Sequence, residues 1–126
     1  MENETGFPLQ IAFRDIAPSP AIEKRVRTHA AKLVRFHPRI TSCRVVISAP
    51  ERQHHRERLY LVRISIAVPG GTIWINRSSQ PHSAHVDVYV AIRDAFAAAV
   101  RRLEDRVRRQ NGRVKRRAVE QGALGS

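Results

Sequence analysis

The chain has 126 residues, with 23 Lys and Arg against 11 Asp and Glu, for a formal net charge of +12. That length fits one domain, large enough to bury a core without a disulfide or a metal. Twenty of the cations are Arg, the others being Lys24, Lys32 and Lys115. This balance argues for a polyanionic partner and against acidic small-molecule chemistry, because the Arg fork matches phosphate.

One cysteine, Cys43, excludes an internal disulfide framework and suits a reducing cytosol. No apolar run is long enough to span a membrane, and the acidic, polar start of the chain does not read as a secretory signal. Hydrophobic residues make up 42% of the chain, too many for wholesale disorder. The expectation is a soluble cytoplasmic domain over residues 8–112, with a loose leader at 1–7 and a disordered tail at 113–126, basic and then polar.

Leu9, Ile11 and Phe13 alternate with Gln10, Ala12 and Arg14, the period of a half-buried strand. Ser19 then offers an N-cap and Pro20 a first helical residue. Ile22, Val26, Ala30, Leu33 and Phe36 follow at helical spacing, and His37-Pro38 ends the helix. Cys43, Val45 and Ile47 mark a second strand. After a polar loop at 51–58, Tyr60, Val62, Ile64, Ile66 and Val68 mark a third, and Pro69-Gly70-Gly71 turns the chain into a fourth at Thr72–Asn76.

Residues 77–85 read as a Ser- and His-rich loop, and Asp87 as an N-cap. A last helix follows, carrying Val88, Tyr89, Ile92, Phe96, Ala99, Val100, Leu103 and Val107 on its apolar stripe and ending at Gly112. The order β-α-β-β-β-α predicts an α+β fold, with two helices on one face of a four-stranded mixed sheet.

The strongest chemical signal is the run 101–117, nine cations against Glu104 and Asp105. Asp105 bridging Arg101 and Arg109 at i±4 would account for two of them, which leaves phosphate binding as the reading for the stretch. Lys24, Arg25, Lys32 and Arg35 on the first helix are as readily a solvated face, but both helices share one layer. The RNA-binding set is therefore Lys24, Arg25, Lys32, Arg35, Arg101, Arg102, Arg106, Arg108 and Arg109. No helix-turn-helix, zinc finger or RNP-type motif supports base-by-base reading, so backbone and shape contacts to structured RNA are expected.

His54-His55 and His82-x-x-His85 match no metal spacing, and no metal or other cofactor is expected. Asp15, Asp87, Asp94 and Asp105 form no catalytic constellation, and no Gly-rich phosphate loop is present, so the chain does not read as an enzyme or as taking a small-molecule substrate. Trp74 could stack on a base, but a strand aromatic more often packs, and Trp74 and Tyr89 read as packing residues.

Pro20-Ala21-Ile22 and Ala31-Lys32-Leu33 in the first helix, with Asp87-Val88-Tyr89-Val90-Ala91-Ile92 followed by Arg101 and Leu103 in the last, resemble the hibernation-promoting factor and ribosome-associated inhibitor A family. That family is also described as ribosomal subunit interface or sigma-54 modulation proteins. The resemblance covers residues 8–115. It implies a fold similar to a double-stranded-RNA-binding domain, and binding to the small ribosomal subunit and its rRNA where mRNA and tRNA would lie.

The resemblance places Lys32, Arg101 and Arg109 at basic positions of the family pattern. Glu23, His29 and Asp105 stand where basic residues are common, so the phosphate set departs from that pattern. It further implies a ribosome hibernation factor that blocks translation sterically in stress or stationary phase. With no dimerisation or cold-shock domain following, the chain is not expected to dimerise ribosomes by itself, and its own self-association stays open. A general structured-RNA-binding module or chaperone is the alternative. A partner of a transcription factor, as one family description suggests, is a third reading.

Overall fold

The computed structural model describes residues 6–49, 60–78 and 88–124, with side chains described as far as Gly112. Alternating apolar residues form four strands: β1 (Leu9–Arg14), β2 (Ser42–Ser48), β3 (Leu61–Val68) and β4 (Gly71–Ser78). They lie in one sheet in the order β1-β2-β3-β4, with β1 parallel to β2 and the other pairs antiparallel. Helix α1 (Pro20–Ala31) connects the parallel pair, and α2 (Val88–Leu124) follows β4. The expected α+β order and mixed sheet are what the chain adopts.

Period-2 alternation decides which face is buried. Val45, Ile47, Val62, Ile64 and Ile66 are sealed from solvent beneath Val26, Ala30 and Leu33 of the first helical segment and Ile92, Ala95, Ala99 and Leu103 of α2. β1 is an edge strand, and its Leu9, Ile11 and Phe13 are only partly buried against that core. Pro69-Gly70 closes the β3–β4 hairpin. Gly70 has φ +90°, which with Pro before it is the pattern of a type II turn.

Ser19 caps α1 as expected: its Oγ accepts from the Ile22 N–H at 3.3 Å, and Pro20 occupies the first turn. The end of that helix differs from the expectation. α1 stops at Ala31, and Leu33–Arg35 form a 3-10 turn in which Arg35 N–H bonds to Lys32 and Phe36 N–H to Leu33. This tighter winding seats both Leu33 and His37 in the interior, His37 with 2% of its surface exposed.

Three boundaries also need correcting. Phe7, expected in a loose leader, is 3% exposed and belongs to the core, so the packed domain starts before residue 8. β4 runs on through Arg77 to Ser78, because the pairing of Val62 with Arg77 and Leu61 with Ser78 continues the ladder. Finally, α2 does not end at Gly112 as expected but runs on to Leu124. Each Gly within it (Gly112, and Gly122 near its end) costs about 1 kcal/mol and no Pro follows Gly112, so the Arg- and Lys-rich sequence beyond Gly112 sustains the helix. The polar loop at 51–58, the histidines at 54, 55, 82 and 85, and the expected cap Asp87 lie outside the described residues.

Candidate nucleic-acid interface

The two helices meet through stacked side chains. The Arg25 guanidinium lies 4.8 Å from the Tyr89 ring centroid, and the His29 ring stacks on Phe96 at 5.3 Å with 12° between planes. The two contacts advance together along both helices, so α1 and α2 run in the same direction. Arg25 and Lys32 flank His29, and their charges, after burial itself, hold its imidazole below the usual histidine pKa. His29 is therefore a neutral packing residue near pH 7, and this seam draws its charge from Arg25 and Lys32. Lys24 and Arg35 are also exposed on this layer, farther round the helical surface.

On α2 the cations lean the other way, toward β4. Arg101 and Arg102 line a groove of about 250 Å³ with Trp74, Ile75, Asn76 and Arg77. Beside it, Arg102, Arg106 and Arg109 line a second groove of about 200 Å³ with Thr72 and Ile73. Arg77, absent from the sequence-based set because it was assigned to a loop, joins this cluster once β4 is extended. The apolar alternation of β4 stops at Ile75, so only its ladder with β3 reveals that the strand reaches Arg77.

Asp105, common to both grooves, pairs with Arg108 at 2.6 Å. It bridges neither Arg101 nor Arg109, the i±4 pairing that would have accounted for two of the cations. Arg108 is thus partly neutralised by a surface ion pair, whereas Arg101, Arg102 and Arg109, equally exposed, have no acidic partner among the described residues.

Arg106 does something else. Its position on the helical wheel falls beside Ala99 and Leu103, on the inner face of α2. Its Nη2 donates to the Pro69 carbonyl at 3.2 Å, and its Nε is buried without a partner. A Cβ built on Gly70 or Gly71 would stand 3.2 or 3.3 Å from the same Nη2, so the guanidinium lies directly on the hairpin turn. Arg106 ties α2 to the β3–β4 turn rather than standing free among the exposed cations of α2.

The remaining reactive groups are structural. Burial pushes the Cys43 thiol up to about 12, so it is no nucleophile at neutral pH. His37 Nδ1 accepts from the Arg39 N–H at 3.1 Å, and burial, Arg106 and then Arg39 lower its pKa. Among the described residues no cluster of His, Cys, Asp and Glu could hold a metal, and no helix is long and apolar enough to cross a membrane.

A four-stranded mixed sheet with two same-direction helices on one face, their outer flanks lined by Arg and Lys, defines a small basic α+β domain. The family model described as sigma 54 modulation protein / S30EA ribosomal protein matches residues 9–113, and the chain belongs to that family of ribosome-associated factors. The fold is similar to the Thermus thermophilus Protein Y N-terminal domain, with TM-score 0.61 and 20% identity over 76% of this chain and 93% of that one. It is also similar to a ribosomal subunit interface protein from Coxiella burnetii, with TM-score 0.57 and 15% identity over 77% and 93%. At these identities the likeness concerns the fold. No curated protein matches the chain in sequence.

Proposed function

We propose that this protein binds the small ribosomal subunit through rRNA phosphates and, by its bulk, keeps mRNA and tRNA from their sites, silencing translation in stress or stationary phase. The observation that carries the reading is the exposed cluster Arg77, Arg101, Arg102 and Arg109 along α2 and β4, continued over the helices by Lys24, Arg25, Lys32 and Arg35. Family membership supports the ribosome as the source of the phosphates. Such an interface works by displacing counterions and filling space. It requires no covalent step, metal or small-molecule substrate.

Co-sedimentation with isolated ribosomal subunits tests it. Stoichiometric pelleting with the small subunit, resistant to excess duplex RNA, is expected. If about four phosphates are neutralised, affinity falls by roughly three to four decades per tenfold rise in salt. Changing Arg77, Arg101, Arg102 and Arg109 together to Glu is expected to abolish binding without unfolding the domain; Arg106 is left intact because it holds the turn. Retained binding by that variant at physiological salt overturns the proposal. Loss of binding to competing duplex RNA would instead identify a general structured-RNA module.

A further inference from the structure

The face of the sheet turned away from the helices carries a second feature. Trp74, the only tryptophan of the chain, is 69% exposed there. Its neighbours Ile73 and Ile75 point into the core, so the strand period sets its ring outward. Across the sheet, Trp74 pairs with Ser65, Ser65 with Arg44, and Arg44 with Gln10, forming one transverse row. The next row on the same face is Asn76, Arg63, Val46 and Ala12.

A shallow depression of about 340 Å³ runs along the first row, lined by Gln10, Arg44, Ser65, Thr72 and Trp74 among others. None of the four strands contains an Asp or Glu, and Arg14, Arg44 and Arg63 are exposed on this face. An exposed indole normally carries a hydration penalty that folding would remove by turning it inward. Here it stands beside fixed cations and polar donors.

We propose that this face is a stacking platform for an unpaired RNA strand, with one nucleobase on the Trp74 indole and the flanking phosphates on Arg44 and Arg63. Charge selects this occupant: a second copy of a chain of net charge +12 would meet its own sign, whereas a polyanion with planar bases satisfies both the indole and the guanidinium groups. The platform is continuous with the helical cations, since Trp74 also walls the groove that holds Arg77, Arg101 and Arg102. A strand leaving that groove can therefore pass round the β4 edge onto the sheet. A base stacked flat on an indole must be unpaired, which distinguishes this contact from shape recognition of a duplex.

Because Trp74 is the only tryptophan, its fluorescence reports the contact directly. The full chain is titrated with an oligouridylate about 10 nucleotides long and with a blunt duplex RNA. Saturable quenching by the single strand and little by the duplex is expected. In anisotropy with an end-labelled oligouridylate, Trp74→Ala should weaken binding by about 5- to 100-fold, while Trp74→Phe retains most of it. The melting temperature of Trp74→Ala should not fall, because the ring is exposed.

Parent-like affinity of Trp74→Ala, or unchanged fluorescence at saturation, overturns the proposal. So does equal quenching by the duplex, or a dimer of the chain that Trp74→Ala dissolves. The probe is a free oligonucleotide, so this result is separate from the pelleting of ribosomal subunits.

Discussion

Replacing Arg106 by Met separates a cation that holds the fold from one that holds a ligand. Methionine keeps most of the apolar stem but removes the bond from Nη2 to the Pro69 carbonyl, 3.2 Å long and near solvent. A charged donor to a carbonyl contributes about 1.5–3 kcal/mol, and this length and exposure place it at the low end. The variant also removes the unpaired buried Nε, which returns roughly part of that amount. The net loss is about 1 kcal/mol, or roughly 3–5 °C in melting temperature for a domain of this size.

The assay pairs thermal unfolding with subunit binding, using Arg102→Met as the contrast. Arg106→Met is expected to melt earlier and bind the small subunit as the parent does. Arg102→Met should melt normally and bind more weakly. An unchanged melting temperature for Arg106→Met together with a tenfold loss of binding would refute the assignment of Arg106 to the turn.

Two further outcomes concern folding. The pKa values of His29 and His37 are both held below the ordinary histidine value. As pH falls from about 6.5 toward those lowered values, the unfolded chain takes up protons that the folded one refuses, so stability must decline. Each histidine adds at most about 1.4 kcal/mol per pH unit over that window. Urea midpoints that do not move between about pH 7.5 and 5.5 would contradict this, and the double variant His29→Gln, His37→Gln should flatten the profile. Ser19→Ala leaves the Ile22 N–H without its capping oxygen and should lower stability by about 1 kcal/mol in denaturant melts.

Much of the architecture is local in origin and so was legible in the residues. Alternation in Cys43–Ile47 and Val62–Val68 exposes a period of two, and Ser19-Pro20 and Pro69-Gly70 mark a cap and a turn by their own backbone chemistry. The errors fell where a long-range partner decides. Phe7 has no periodic neighbours to announce it and is ordered only by the core it joins. Gly112 is a different case, decided locally: it looks like a stop, but one glycine costs too little to end a helix whose flanks favour it. Counting charge between residues 101 and 117 found the basic helix but treated its cations as equivalent.

By itself, the sequence determined the net charge, the element order, the buried face of each inner strand and the basic character of α2, because each depends on composition or on a short-range period. Tertiary structure alone decided what each cation does. Arg106 is bound to a turn 37 residues away and Arg25 to the Tyr89 ring, while Arg77 joins Arg101 and Arg102 across the β4 edge. The same holds for Trp74, whose period allowed either face. Only the placement of both helices on the opposite side of the sheet left its indole in solvent, since a strand presents two faces and packing covers one.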